Sequence, residues 1–105
     1  MYPRLRIGKR GRNPDQLQIQ YEIKVSSMVP KGFDSKLDPI WINHYELEAL
    51  RLCDLEGLYQ EDAAQQMQTS RGTIWRLLTS ARPKLIRAIV EGRTLKIGYG
   101  EITNE

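Results

Sequence analysis

The chain has 105 residues and a formal net charge of +3. This length suits one small domain. It is too short for a domain that recognises a partner together with a separate sensor domain. Its single cysteine, Cys53, excludes an intramolecular disulfide, and no Cys or His cluster has metal-ligand spacing. No stretch approaches the roughly 20 apolar residues of a membrane-spanning helix. We therefore expect a cytoplasmic protein without metal or cofactor, neither exported nor inserted into a membrane.

Charge is segregated along the chain into a basic start, an acidic middle and a basic end. The basic start consists of Arg4, Arg6, Lys9, Arg10 and Arg12. Residues 43–62 carry six acids against Arg51 alone, whereas residues 71–96 carry seven basic residues and only Glu91. This distribution permits a polyanionic partner. The basic start resembles an arm that follows a DNA backbone or minor groove, and the alternative is a solvated tail.

Residues 16–25 alternate apolar and polar side chains with period two, which predicts a half-buried β-strand. Proline and glycine after it indicate an irregular connection through residue 39. Because a lone strand leaves its backbone unpaired, we expect it to pair with a short C-terminal strand over residues 94–99 or with a second copy of the protein. Residues 1–42 would then form the arm, strand and connection, and residues 43–105 the helical domain.

The helical part begins at Asn43, which is predicted to form a capping box with Glu46. An apolar stripe marks the first helix, which is expected to stop at Gly57. The members of the stripe are Leu47, Leu50, Leu55 and Leu58. A second short helix is predicted over residues 60–67, and one of its faces carries Ala63, Ala64 and Met67.

A third helix is predicted to begin after Ser70, whose hydroxyl can accept from the free amides of the first turn. Its apolar positions recur at helical spacing: Ile74, Leu77, Leu78 and Ala81. Pro83 lacks an amide donor and disfavours helix at Arg82, so we expect a kink or break there. A last helix that ends at Gly92 would bury Leu85, Ile86, Ile89 and Val90. The expected fold class is mainly α, a bundle of about four helices with an N-terminal β-strand and a short C-terminal strand.

Two short helices joined by a tight turn, the second capped by serine and rich in arginine, are typical of a helix-turn-helix. Ala64 permits a close approach of the two helices, and Ile74 and Leu77 anchor the second from beneath. The positions expected to point outward are Ser70, Arg71, Thr73, Trp75, Arg76 and Thr79. Trp75 could instead lie in the core or in a dimer contact. Arg82 and Lys84 either contact phosphate or only solubilise the last helix.

Residues 45–97 resemble a family of small prokaryotic proteins of unknown biological role that are identified as predicted DNA-binding proteins. The resemblance lies in ELEALRL-x-DLEG, then Q-E-D-A-A-x-x-M and S-R-G-T. The helix-turn-helix of that family is similar to region four of bacterial sigma factors. This resemblance implies DNA binding by the helix after Ser70, in transcription control. Gln68 stands where many such motifs have glycine, so it must adopt the left-handed conformation.

We expect a homodimer that binds double-stranded DNA sequence-specifically and regulates transcription, with a contact to the transcription machinery as a further option. Arginine reads base edges in the major groove, while hydroxyls and helix N-termini suit phosphates. Base contacts are expected from Arg71, Thr73, Trp75 and Arg76, and phosphate contacts from Ser70, Arg82, Lys84 and the basic arm. The alternative is a protein-interaction module using the same helical face. RNA is less favoured because its major groove is too narrow, and enzymatic activity is expected least.

Overall fold

The computed structural model describes residues 17–98, so the predicted basic arm lies outside the described residues. The elements in chain order are β1 Ser27–Met28, β2 Ile40–Ile42, α1 His44–Leu50, α2 Gln60–Met67, α3 Arg71–Glu91 and β3 Leu95–Ile97. A π-helical segment, Arg51–Leu55, continues α1. The described part of the chain is therefore mainly helical, as predicted, but it has three α-helices where about four were expected.

The small sheet has β3 as its central strand. It pairs antiparallel with β1 and parallel with β2. Ile40 lies opposite Leu95, and Ile42 lies opposite Ile97. The predicted C-terminal strand is thus confirmed at Leu95–Ile97, and both of its partners come from the part of the chain that precedes the helices.

The strand predicted over residues 16–25 is wrong for its described part, because residues 17–25 are irregular. Of the five apolar side chains that would have shared one face, only Leu17 is buried, while Tyr21 and Val25 are exposed. Alternation within one segment therefore did not decide its conformation.

Contacts to the helices replace the strand pairing in this segment. The Gln18 amide donates to the carbonyl of Met67 over 2.9 Å, and the Gln20 amide donates to the Glu48 carboxylate over 2.9 Å. A backbone donor needs a partner but not a β-partner, so these bonds favour an extended, irregular path across the helices.

The start of α1 is the predicted capping box. The Asn43 side chain accepts from the Glu46 amide over 2.8 Å, and the Glu46 carboxylate accepts from the Asn43 amide over 2.9 Å. Further along, Leu55 was expected to face inward but is 76% exposed. The π-helical segment closes with wider hydrogen bonds than an α-helix, which turns Leu55 outward and leaves Leu52 in the buried position.

Helices α2 and α3 supply most of the remaining core. Residues Gln60–Met67 form α2 with the predicted bounds. The side chains predicted to face inward are buried: Ala63, Ala64, Met67, Ile74, Leu77, Leu78 and Ala81. Small residues at the crossing allow the two helices to approach closely, and the larger aliphatic side chains of α3 fill the space beneath them.

Helix α3 is continuous through Pro83, so the predicted break is wrong. Proline removes one amide donor, and the carbonyl deprived of its partner belongs to Thr79, one turn earlier. Both residues are exposed, which leaves that carbonyl accessible to water. The interruption is therefore tolerated on the outer side of the helix.

Continuity of α3 also overturns the expected burial of its last turns. The core face of the helix passes through Ala81, the half-buried Leu85 and Ala88. At 3.6 residues per turn, Ile86, Ile89 and Val90 point away from that face, and all three are exposed. The helix ends at Gly92, as predicted, and Gly92 adopts the left-handed conformation.

Candidate nucleic-acid interface

Residues 68–70 connect α2 to α3 in a tight turn. Gln68 has a left-handed backbone with φ of 57°, as its position predicted. The Gln68 amide donates to the carbonyl of Gln65, and the Thr69 amide donates to the carbonyl of Ala64 over 2.9 Å. These bonds occupy the last carbonyls of α2 and set the direction in which α3 leaves.

A chain of polar contacts organises the start of α3. The Ser70 hydroxyl accepts from the Thr73 amide over 3.1 Å, which confirms the predicted cap. The same hydroxyl lies 3.1 Å from the Thr73 hydroxyl, and Arg76 Nη2 donates to Thr73 Oγ1 over 3.2 Å. Thr73 thereby links the cap to the guanidinium of Arg76 and holds that guanidinium beside the first turn.

The structure brings the predicted interface residues of α3 to one exposed surface. Ser70, Arg71, Arg76 and Thr79 are exposed, and Thr73 is half-buried among them. Trp75 is 56% exposed, so the alternative that placed this ring in the core is wrong. Directly opposite, Ile74 and Leu77 hold the helix against α2 and the core.

The basic residues of α3 differ in whether they have an acidic partner. Arg82 pairs with Asp54 at 2.8 Å, whereas Lys84 and Arg87 pair with other acids. Arg71 and Arg76 form no salt bridge with any acid in residues 17–98. Among the basic residues of α3, those without an acidic partner in the described part of the chain are therefore the two in its first two turns.

Arg82 is held by a bidentate ion pair on the surface. Its Nε and Nη2 atoms donate to the two carboxylate oxygens of Asp54 over 3.0 and 2.8 Å. The hydrogen bond with Asp54 raises the pKa of Arg82. Both side chains remain half-exposed to solvent, so Arg82 lies at the margin of the cationic surface with much of its charge balanced.

Lys84 is placed in the packing between α1 and α3. Its ammonium donates to both carboxylate oxygens of Glu46 over 2.9 and 3.0 Å. The Glu46 side chain is 1% exposed and also accepts from the Ser80 hydroxyl. A buried carboxylate needs these partners, so Lys84 has a structural role and we remove it from the expected phosphate contacts.

Glu48 is a second buried carboxylate. It is fully buried and accepts from Arg51 Nε and Nη2, each over 2.9 Å. The hydrogen bond with Glu48 raises the pKa of Arg51. Arg51 therefore neutralises this buried carboxylate within the packing around α1.

Comparison with known proteins places the chain in a family. Residues 4–105 match the protein family described as "Protein of unknown function DUF134". The chain belongs to the DUF134 family. This confirms the expected membership in a family of small prokaryotic proteins of unknown role, while the DUF134 description states no activity.

Several relatives of this DUF134 chain carry the name UPF0251 protein. The one from Thermococcus kodakarensis is 59% identical over 68 residues, which cover 65% of this chain and 59% of the relative. The one from Pyrococcus furiosus is 59% identical over 90 residues, covering 84% of this chain and 83% of the relative. The one from Archaeoglobus fulgidus is 42% identical over 98 residues, covering 92% of each. No solved structure matches the chain.

The start of α2 in this DUF134 chain is a feature that sequence reasoning missed. Tyr59 occupies the N-cap position, and its side chain makes no capping hydrogen bond. The first turn of α2 therefore has no side-chain cap from Tyr59, although the amides of Asp62 and Ala63 donate to the Tyr59 carbonyl. The signal in the sequence is the absence of Ser, Thr, Asp or Asn before Gln60. Glu61 and Asp62 in the first turn oppose phosphate there, so α3 remains the better candidate.

Residues 17–98 contain no group of three or more His, Cys, Asp or Glu side chains that could hold a metal ion. Within the same range, no helix is both long and apolar enough to cross a membrane. Burial raises the pKa of the Cys53 thiol, which makes it a poor nucleophile at neutral pH.

Proposed function

We propose that α2, the turn and α3 form a helix-turn-helix that binds double-stranded DNA in a sequence-specific manner, probing the major groove with α3, and that this binding regulates transcription. The observation that carries the proposal is the pair Arg71 and Arg76. Both are exposed, and neither has an acidic partner among residues 17–98. The next three basic residues of the same helix all have one.

The position of Arg71 strengthens this proposal. It is the first residue of α3, and the N-terminus of a helix carries partial positive charge. An arginine there is unfavourable for the isolated helix, since acids are the residues that stabilise a first turn. A bound polyanion reverses the sign of that interaction, because phosphate oxygens and base acceptors attract both the guanidinium and the free amides.

The contacts proposed for α3 follow from where its side chains lie. Arg76, oriented by Thr73, suits a bidentate contact with the O6 and N7 acceptors of guanine. Ser70 and the first-turn amides suit a phosphate, and the exposed ring of Trp75 suits an apolar contact such as a thymine methyl. Arg82 contributes at most a shared contact at the margin, since Asp54 already occupies its guanidinium.

A protein partner is a second candidate, because a half-exposed tryptophan is a frequent interface anchor. Salt dependence separates the two. Binding to DNA releases counterions, so the logarithm of the association constant falls steeply and linearly with the logarithm of salt concentration. Contact with a protein through Trp75 depends much less on salt.

The test is duplex binding by the purified full chain and its variants. A preferred duplex is first selected from a random pool, and affinity is then measured by fluorescence anisotropy. Arg76→Ala should lose about 1 to 3 kcal/mol on the selected duplex and less on random duplex. Arg87→Ala is the matched control, because it removes an exposed arginine of the same helix that pairs with Glu91, and its affinity should change less than about twofold.

Three results would contradict the proposal. Recovery of no bound duplex from the pool, or a nearly flat salt dependence of binding, would reject DNA as the partner. Equal losses in the Arg76 and Arg87 variants would reject the special role of the first two turns.

A further inference from the structure

An apolar patch lies at the opposite end of α3 from Arg71 and Arg76. We define the apolar patch as Phe33, Ile86, Ile89 and Val90, whose exposures are 61, 60, 77 and 75%. Ile89 and Val90 follow Ile86 by three and four positions and therefore lie on the same side of the helix as Ile86. None of them is used by the proposed DNA contact.

Phe33 extends the apolar patch past the end of the helix. Its ring occupies the space that a side chain on Gly92 would need. Gly92 is three residues after Ile89, so the absence of a side chain there lets the ring lie against the last turn. The neighbouring loop is fastened by Arg93, whose Nε donates to the carbonyl of Asp38 over 2.8 Å.

The size of the apolar patch suits a weak protein interface. A fully exposed large apolar side chain offers on the order of 100 Å² of apolar surface, so four that are about two-thirds exposed present roughly 300 Å². Two such surfaces give about 600 Å², and with the usual polar share of an interface this becomes about 1,000 Å². That area is near the lower limit of specific protein interfaces.

The charges around the apolar patch are nearly balanced. Arg82 pairs with Asp54, and Glu91 lies 3.8 Å from Arg87 and 2.9 Å from Arg93. These three cations and two acids leave a net charge of +1. The surface therefore attracts nucleic acid or an anionic membrane less than the first two turns of α3 do. It also allows two identical copies to meet without strong repulsion, because each brings its own acids.

We infer that the occupant of the apolar patch is a second copy of this chain, related by a two-fold axis so that the patch meets its own equivalent. This inference rests on the proposed DNA binding, because it gives the dimer its purpose. Residues 17–25, which were expected to supply a pairing strand for a dimer, are instead bound to the helices of their own chain.

The length of α3 supports this occupant. Ile74 lies in the first two turns of α3, fifteen residues before Ile89. This spacing corresponds to about 22 Å of helix at ~1.5 Å per residue. Two α3 helices that meet near Ile89 therefore place their first two turns at opposite ends of the pair, with the two Ile74 residues at most about 45 Å apart. Inclining the helices shortens this to the ~34 to 36 Å between half-sites one turn of DNA apart.

Sedimentation velocity of the full chain without DNA, over about 1 to 200 μM, tests the inference. The wild-type protein should show a reversible monomer–dimer equilibrium. Ile89→Glu should weaken the dimer at least tenfold, because a carboxylate would be buried where the two copies meet. Leu55→Glu is the matched control, since this equally exposed leucine lies on the π-helical segment and its substitution should leave the equilibrium unchanged.

Two outcomes overturn the inference: a wild-type chain that stays monomeric over the whole range, or an Ile89→Glu variant that dimerises as well as Leu55→Glu. Circular dichroism of each variant verifies its fold. Binding to a duplex with a single half-site is measured separately and should be the same for Ile89→Glu and wild type. A protein that dimerises but binds no duplex would contradict only the proposed function. A protein that binds duplex but stays strictly monomeric would contradict only this inference.

Discussion

The two halves of α3 both carry basic residues, but these residues differ in whether a carboxylate lies close to them. In the first half, Arg71 and Arg76 are exposed and have no acidic partner within residues 17–98. In the second half, Arg82, Lys84 and Arg87 each lie within 4 Å of a carboxylate. The number of basic residues therefore does not distinguish the two halves of the helix, whereas the placement of acids around them does.

The difference arises from which neighbours each half contacts. The second half packs beside α1 and its π-helical continuation, which supply Glu46 and Asp54. The first half packs on α2, whose acids, Glu61 and Asp62, lie in its first turn at the far end from the connecting turn. The positive charge at the start of α3 thus lacks an acidic partner because the helix beside it, α2, carries its acids at its far end.

The largest expected effect is a loss of stability in the second half. Lys84→Met leaves the buried carboxylate of Glu46 without its cation and should lower the free energy of unfolding by about 2 to 4 kcal/mol. The lower part of that range allows for the partial exposure of Lys84. Urea denaturation measures it. The salt slope of DNA binding should not change, and a slope reduced by about one would return Lys84 to the phosphate contacts.

The matched control for this prediction is Arg87→Met. Arg87 pairs with Glu91 on the surface of the same helix, so its removal should change the free energy of unfolding by no more than about 0.5 kcal/mol. Similar losses for the Lys84 and Arg87 variants would mean that burial of Glu46 does not distinguish the two pairs.

An intermediate effect is expected at the first residue before α3. Ser70→Ala removes the cap and should cost about 1 kcal/mol of unfolding free energy. Ser70→Asp keeps a capping oxygen and should restore that stability, but it gives the first half the acid that it lacks. Its affinity for the selected duplex should therefore fall, as measured by anisotropy, while an Asp variant that bound as tightly as wild type would contradict the assigned surface.

The smallest effect is expected at the turn that orients the first half. Gln68→Gly removes the steric cost of the left-handed conformation and should stabilise the protein by up to about 1 kcal/mol. Gln66→Gly is the control, because the same substitution within α2 should destabilise the protein by up to about 1 kcal/mol. Thermal unfolding of the two variants should therefore shift in opposite directions, and a shared direction would indicate that Gln68 is not strained.

The features that depend on neighbours in sequence were predictable. The capping box of Asn43 and Glu46, the cap at Ser70 and the helix end at Gly92 follow from chemistry within one helical turn. The left-handed Gln68 was expected from its position in the motif that the chain resembles. The core faces of α2 and the first half of α3 follow from helical periodicity alone. The exposed position of Arg71 and Arg76 is the complement of that periodicity, so the sequence by itself determined that these two side chains face outward.

Tertiary structure decided the rest, because the competing conformations differ only in distant partners. Residues 17–25 alternate like a strand, yet the amides of Gln18 and Gln20 find acceptors on the helices. β2 has only three residues, which is too short for a periodic signal, and it exists because β3 lies beside it. The ion pair of Lys84 with Glu46 joins residues 38 positions apart. Local patterns carry no information on such pairs, so packing alone determined which cations remain available to a partner.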